Sequence, residues 1–164
     1  MSMFDLIKGL TDAEVDFVLV GGLAVALHGY RRVTMDVDVA LAMEPDNLRR
    51  FIDLAKASGL RPAIPVPIDS LANPELIDQW YREKGMLAFA LRGPDMMASV
   101  IDVLVKPVVS FADLKRDAVQ VPVGRLTVPV ASIEHLIVMK TGTGRGKDAI
   151  DIEELRKLQA RKSC

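Results

Sequence analysis

The chain has 164 residues, of which 50% are hydrophobic, and its 21 basic and 22 acidic side chains leave a net charge of −1. This length predicts a single domain, residues 1–164, and the near-neutral charge excludes a protein that binds nucleic acid through bulk positive charge. No apolar run is long enough to span a membrane, and the only cysteine is Cys164, so we expect a soluble protein of the reducing cytoplasm.

Hydrophobic periodicity predicts helices and strands mixed along the chain, typical of a mixed α/β (α+β) fold with flanking helices. Helices are expected at residues 2–13, 22–28, 46–58, 74–84, 110–117, 132–140 and 147–161. Strands are expected at residues 17–21, 35–41, 86–92, 99–105, 119–123 and 126–130. The turn residues Gly93-Pro94-Asp95 predict that the strands beside them pair antiparallel. The last helix should bury Ile152, Leu155 and Leu158.

One segment between these elements, residues 60–73, is rich in proline. Proline lacks the backbone N–H that helices and central strands need. We interpret this segment as extended or irregular chain that leads into the fourth predicted helix.

Aspartates occupy alternate positions of the second predicted strand. Asp36 and Asp38 share one face, whereas Val37 and Val39 point to the other, so one face is core and the other carries chemistry. Two residues on a strand span about 6.6 Å, close enough for both carboxylates to reach shared magnesium ions. Asp102, embedded in an apolar strand, supplies a third acid; an edge-strand aspartate that faces water is the alternative interpretation.

Paired glycines end the first predicted strand and open a short helix. Backbone N–H groups exposed at such a turn suit a phosphate, which makes Gly21 and Gly22 candidate phosphate-binding residues. Gly29 is expected to end the short helix. His28, just before it, is expected to make a structural hydrogen bond rather than to act in catalysis.

The segment from the paired glycines to the paired aspartates contains the pattern GGxAxxxHGxxRxTxDxD. Its fixed positions are Gly21-Gly22, Ala24, His28-Gly29, Arg32, Thr34, Asp36 and Asp38. This pattern resembles the nucleotidyltransferase superfamily, especially its AbiEii-like toxin branch. Residues 129–155 are similar to the C-terminal element of those proteins, whereas residues 60–98 carry none of the signature. The resemblance implies a nucleotidyltransferase-like fold in which the glycine turn holds a nucleoside triphosphate and three acids bind two Mg²⁺.

The resemblance also assigns roles to individual residues. Gly21 and Gly22 take the phosphate role, Asp36 and Asp38 bind metal, and Asp102 is the third metal-binding acid, which would activate the acceptor hydroxyl. Mg²⁺ is the implied cofactor, with Mn²⁺ as an alternative. Many superfamily members have a serine where this chain has Gly22, so backbone N–H groups must here replace a serine hydroxyl.

Several cationic or polar residues are candidates for binding the triphosphate. Lys140 is a candidate for neutralising its charge, with Arg145 and Lys147 as helpers; the alternative for Lys140 is a side chain that snorkels to water at a helix end. Arg32 either contacts a phosphate or pairs with an acid of the aspartate cluster. Thr34 is expected to orient the turn that leads into the second strand.

The leading hypothesis is an enzyme that transfers a nucleoside monophosphate from a nucleoside triphosphate, such as ATP, to an acceptor hydroxyl and releases pyrophosphate. The resemblance allows a tRNA end, a protein hydroxyl or a small molecule such as an antibiotic as acceptor. The AbiEii-like branch implies a toxin with an antitoxin protein as its partner. The alternative is a catalytically inactive module that keeps the fold to bind nucleotide, nucleic acid or a partner protein.

Overall fold

The computed structural model describes residues 2–34, 36–94 and 100–162. The α-helices in this part of the chain are α1 (Met3–Asp12), α2 (Gly21–Leu27), α3 (Pro45–Ala57), α4 (Pro74–Lys84), α5 (Phe111–Asp117), α6 (Ile133–Lys140) and α7 (Gly146–Lys162). The strands are β1 (Phe17–Val20), β2 (Asp36–Leu41), β3 (Arg61–Pro62), β4 (Ala88–Arg92), β5 (Val100–Leu104), β6 (Val119–Val123) and β7 (Leu126–Val130). A 3₁₀ helix covers Ile68–Ala72.

Within the described residues, seven strands form one mixed sheet in the order β3-β4-β5-β2-β1-β7-β6. β2 is antiparallel to β1 and parallel to β5, and β1 is parallel to β7. The outer neighbours pair antiparallel, which confirms the prediction for β4 and β5. The last residue of the predicted turn, 95, and the predicted first residues of β5 and β2, 99 and 35, lie outside the described residues. The mixed α/β fold is confirmed.

The core lies mainly on one face of the sheet. Val37 and Val39 of β2 and Ile101 and Val103 of β5 are at most 1% exposed. Alternate residues of a strand point to opposite faces, so these four side chains share the face opposite to the aspartates. Burying a side chain of this size contributes about 1.5–3 kcal/mol, so these four residues stabilise the strands that carry the aspartates.

The first helix begins as its sequence requires. The Ser2 hydroxyl oxygen accepts a hydrogen bond from the Asp5 backbone N–H at 3.1 Å, and the Asp5 carboxylate accepts one from the Ser2 N–H at 2.9 Å. This reciprocal cap satisfies N–H groups that have no partner within the helix. It fixes the residue at which α1 starts.

Two segments differ from the sequence-based expectation. The proline-rich segment contains the short edge strand β3 and the 3₁₀ helix; Pro62 is tolerated because an edge strand has an unpaired side. In α7, Leu155 is fully buried, but Ile152 and Leu158 are only half-buried. Aspartates, described below, occupy the other fully buried positions of this helix. Within the described ranges, no helix has the length and apolar character needed to cross a bilayer.

Candidate active site

The three aspartates singled out from the sequence lie on one face of adjacent strands. Asp38 of β2 and Asp102 of β5 are direct Cα partners in a parallel pair. Asp36 is two residues before Asp38 and therefore shares its face, while Val20 at the end of β1 is paired with Asp38 on the other side. The face that carries these acids is the one not filled by Val37 and Val39, so the three aspartates share one face of the sheet near the end of β1.

Crowding of these carboxyl groups changes their protonation. Burial, together with the negative charges of Asp102 and Asp36, raises the pKa of Asp38 to about 7. Burial and the charge of Asp36 also raise the pKa of Asp102. The side chains of Asp38 and Asp102 are hydrogen-bonded to each other, which requires a proton on one of them. The cluster holds more negative charge than the surrounding protein neutralises.

The first glycine of the turn lies directly against Asp38. Gly21 has φ +69°, and a Cβ atom at this position would lie 2.0 Å from the Asp38 Oδ2 atom. Both the backbone conformation and the close approach therefore require glycine here. Val20, the N-cap of α2, contributes no side-chain cap, so the backbone N–H groups of the turn are left for another partner.

A cavity of about 130 Å³ opens between this face of the sheet and helix α6. Its lining includes Gly21 and Asp38 on the sheet side and Lys140 and Arg145 on the helical side. The cavity therefore has an acidic wall and a basic wall. Such a site suits an anion that reaches the acids through a cation.

The basic wall is built on a buried network of charges. Lys140 is 8% exposed, and its Nζ atom lies 2.9 Å from Asp151 Oδ2 and 3.2 Å from Asp148 Oδ1. Asp148 also accepts hydrogen bonds from Arg145 Nε and from the Thr143 hydroxyl, each at 2.7 Å. Lys140 therefore does not snorkel to water, and both Lys140 and Arg145 are held in place by carboxylates.

Arg32 links the same network to the glycine turn. Its guanidinium group forms an ion pair with Asp151, an acid of α7 and not one of the Asp36, Asp38 and Asp102 cluster. A Cβ atom at Gly22 would lie 3.4 Å from Arg32 Cζ. The positive charge of Arg32 therefore lies beside the second glycine, held there by Asp151.

The remaining residues predicted from the sequence lie around this centre. The Thr34 hydroxyl donates to the backbone carbonyl of Asp36 at 3.4 Å, at the entry to β2. Lys147 is exposed in the first turn of α7. His28 Nε2 lies 2.7 Å from the Ala131 carbonyl, and burial lowers the pKa of its ring. A neutral His28 that donates to this carbonyl makes the structural hydrogen bond that was expected.

The acid cluster offers the carboxylate ligands that a divalent cation binds, although its three side chains do not point at one common position. Across residues 2–34, 36–94 and 100–162, no three His, Cys, Asp or Glu side chains stand as a ready metal cage. Carboxylates without a cation repel one another, and Asp36 is exposed. Mg²⁺ prefers oxygen ligands of this type. The pKa of Asp38 is raised by burial and by the neighbouring carboxylates, and a bound cation would compensate their negative charge. The residues therefore fit the metal in chemical type.

Sequence reasoning missed the two acids that organise the basic wall. Asp148 and Asp151 are each 1% exposed and lie on the same helical stripe as Leu155. The signal was their spacing of three and four residues along α7, together with Lys140 inside the apolar helix α6. A stripe that mixes leucine and aspartate indicates a buried ion pair when a lysine is available to meet it.

The mixed sheet, with acids beside a glycine turn, defines the class of fold, which is that of the nucleotidyltransferases. The chain belongs to the DUF6036 family, described as "Nucleotidyltransferase of unknown function", whose model matches residues 1–160. By family, the protein is therefore a nucleotidyltransferase enzyme. No curated protein matches the chain.

Solved structures of nucleotidyltransferases resemble this chain closely in fold and weakly in sequence. The lincomycin-bound lincosamide antibiotic adenylyltransferase LnuA superposes with a TM-score of 0.63 at 14% identity, covering 95% of each chain. ANT(2")-Ia in complex with adenylyl-2"-tobramycin gives 0.57 at 12% identity, covering 97% of this chain and 93% of that one. An antigenic nucleotidyltransferase-like protein from Paracoccidioides brasiliensis gives 0.53 at 18% identity, covering 94% and 72%.

Proposed function

We propose that this protein transfers a nucleoside monophosphate from a nucleoside triphosphate to a hydroxyl group of an acceptor, with Mg²⁺ as its metal and Mn²⁺ as a substitute. The observation that carries the proposal is the in-register placement of Asp38 and Asp102, with Asp36 on the same face, beside Gly21. Membership of a nucleotidyltransferase family and the adenylyltransferase folds above support it.

The binding side of the reaction uses the glycine turn and the basic wall. The triphosphate lies along the cavity, with its phosphates against the backbone N–H groups of Gly21 and Gly22. Lys140 and Arg145 face the leaving phosphates, and Lys147 extends the positive charge towards solvent. Arg32, held by Asp151, faces a phosphate near Gly22, while Thr34 fixes the entry of β2. These groups position the triphosphate before the reaction begins.

Asp36, Asp38 and Asp102 would hold the divalent ions, which supply charge neutralisation for the triphosphate and polarise its α-phosphoryl group. In the chemical step, the acceptor oxygen forms a bond to the α-phosphorus. The bond from that phosphorus to the bridging oxygen of the β-phosphate breaks, and pyrophosphate leaves. The Asp102 carboxylate takes the proton of the acceptor hydroxyl.

The acceptor and the biological role are separate proposals, each with its own support. The structures of LnuA and ANT(2")-Ia contain lincomycin and adenylyl-2"-tobramycin, respectively. For this chain the proposed acceptor is an antibiotic, a tRNA end or a protein hydroxyl. A toxin role with an antitoxin partner is supported only by the resemblance of residues 21–38 and 129–155 to the AbiEii-like branch.

The proposal is tested by calorimetric titration of ATP, CTP, GTP and UTP with and without Mg²⁺. We expect at least one triphosphate to bind in a metal-dependent manner, and Asp36→Asn with Asp38→Asn to remove that binding. A matched control is Asp53→Asn, an exposed aspartate in α3, outside the three-acid cluster. If the wild type binds no triphosphate in the presence of Mg²⁺, the proposal is wrong.

The inactive-module alternative differs in one measurable respect. An inactive module binds nucleotide or a partner but transfers no label. Incubation of the protein with each α-³²P-labelled triphosphate and a cell extract, followed by separation of RNA, protein and small molecules, distinguishes the two. Label that enters one fraction in the wild type, and not in Asp38→Asn, supports the enzyme and identifies the acceptor class.

A further inference from the structure

Two arginines lie side by side near the β3 edge of the sheet. Arg61 in β3 and Arg92 at the end of β4 are direct Cα partners. On its other side, β4 pairs with β5, where Ala90 is opposite Asp102. Because residues two apart on a strand share a face, Arg92 and its partner Arg61 lie on the same face as Asp102.

The side chains of these arginines lack the carboxylate partners that several other surface arginines have. Both are exposed, and within the described part of the chain neither side chain forms an ion pair or a hydrogen bond. By contrast, Arg49, Arg82 and Arg116 each pair with a nearby aspartate at 2.8–2.9 Å. Like charges directly opposite each other destabilise a sheet. A bound anion would remove this repulsion.

The arginine pair is close enough to the acids to act on the same ligand. Diagonal neighbours across two strands are about 7–8 Å apart, and the next strand adds about 4.8 Å. The Cα atoms of Arg92 and Arg61 therefore lie about 7–8 Å and about 12 Å from that of Asp102, a span that arginine side chains and a sugar phosphate can bridge.

The geometry of the proposed reaction indicates that this anion belongs to the acceptor rather than to the triphosphate. This step rests on the proposed function. In an in-line displacement, the attacking hydroxyl and the leaving pyrophosphate are on opposite sides of the reacting phosphorus. The glycine turn lies at the end of β1, on one side of Asp38, and the cavity that holds Lys140 runs from this turn past Asp38 to Leu104 of β5. Asp102, Arg92 and then Arg61 follow in the other direction across the sheet. If the β- and γ-phosphates of the triphosphate lie towards Gly21, the acceptor must approach from the β4 side of the sheet.

We propose that Arg61 and Arg92 bind a phosphate group of the acceptor, so that the acceptor is a sugar phosphate or nucleotide, either free or at the end of a nucleic acid strand. Guanidinium groups bind phosphate oxygens in a bidentate manner, which fixes orientation as well as position. The bound phosphate takes no part in the bond exchange; it holds the neighbouring hydroxyl near Asp102. A polycationic acceptor such as an aminoglycoside would be repelled by the same pair.

The test measures binding with the triphosphate site already filled. Wild type, Arg61→Gln and Arg92→Gln are saturated with Mg²⁺ and the α,β-methylene analogue of whichever of ATP, CTP, GTP and UTP the wild type binds. They are then titrated with cytidine 5′-monophosphate, cytidine and a tetraribonucleotide that has a free 3′ hydroxyl. The control is Arg125→Gln, which removes an exposed arginine in the turn between β6 and β7, at the opposite edge of the sheet.

We expect the wild type and the control to bind the phosphate-bearing compounds at least tenfold more tightly than cytidine, and each of the other two variants to lose that preference while keeping the triphosphate analogue. Tighter binding of the tetranucleotide than of the monophosphate indicates a strand end, and equal binding indicates a free sugar phosphate. Equal affinity of the wild type for cytidine and its monophosphate, or equal losses in Arg92→Gln and Arg125→Gln, would overturn the arginine site. Failure of the wild type to bind any of the four triphosphates in the presence of Mg²⁺ would instead overturn the proposed function.

Discussion

The ammonium group of Lys140 lies 2.9 Å from Asp151 Oδ2, and both side chains are almost completely buried. Asp151 also pairs with Arg32, which lies beside Gly22. Helix α7 therefore fixes, through one carboxylate, two cations that come from separate parts of the chain. The glycine turn and the basic wall of the cavity are coupled to the packing of the last helix.

The first prediction concerns this carboxylate. Asp151→Asn leaves the buried Lys140 and the half-buried Arg32 without their shared negative charge, and breaking a buried pair in this way costs about 3–5 kcal/mol. Glu153→Gln, on the same helix, removes an exposed acid 3.9 Å from Lys157 and should cost less than about 0.5 kcal/mol. Urea unfolding of both variants measures the difference. Equal losses would show that the buried network does not stabilise the fold.

The second prediction uses two glycines that share a backbone conformation but differ in their surroundings. Gly21 has φ +69° and Gly85 has φ +65°, yet a Cβ atom at Gly21 would collide with Asp38, whereas nothing lies within 4 Å at Gly85. Gly85→Ala should therefore cost only the backbone term of about 1–2 kcal/mol. Gly21→Ala should cost more and should also displace Asp38. Thermal unfolding and triphosphate binding, measured together, separate the two effects. Retention of Mg²⁺-dependent binding in Gly21→Ala would contradict the close approach as a requirement of the site.

The third prediction follows from the protonation of Asp38. Its pKa is raised to about 7 in the folded protein, above the ordinary value of 3.8, so between these pH values the folded state holds a proton that the unfolded state releases. Stability of the metal-free protein should therefore fall as the pH rises from 5 to 8. Each unit of pKa difference corresponds to about 1.4 kcal/mol.

The variant Asp38→Asn provides the control for this pH dependence, because an amide does not titrate. Thermal unfolding in EDTA should show a midpoint that falls from pH 5 to pH 8 in the wild type and falls much less in the variant. The same variant should lower nucleotidyl transfer on the order of 100-fold or more, since a charged metal ligand is lost. Parallel pH profiles for wild type and variant would mean that Asp38 is not the group that titrates.

The fourth prediction concerns the metal. A cation that binds only the folded protein raises its stability by an amount that grows with concentration, about 2.7 kcal/mol at 100 times the dissociation constant. We expect Mg²⁺ to raise the unfolding temperature of the wild type at pH 8, and to act more weakly at pH 5, where Asp38 is protonated. The variant with Asp36→Asn, Asp38→Asn and Asp102→Asn should show no Mg²⁺ effect. An equal shift in this variant would place the metal elsewhere.

Most secondary structure could be predicted because its causes are local. The apolar run before Gly21, the alternation around Asp36 and Asp38, and the amphipathic helices each depend on neighbours within a few residues. The proline-rich segment was harder, since β3 exists only because Arg61 and Pro62 meet β4. Its two residues carry no periodic signal of their own.

The candidate site likewise has a part that depends on local sequence and a part that depends on tertiary structure. The sequence by itself determined the glycine turn and the alternation that puts Asp36 and Asp38 on one face, because backbone geometry links residues this close in the chain. Only the tertiary structure decided that Asp102 pairs in register with Asp38, that Asp148 and Asp151 meet Lys140, and that Arg61 lies opposite Arg92. Those contacts join residues on separate strands and helices. Their positions depend on how the sheet is ordered and packed, which no local pattern specifies.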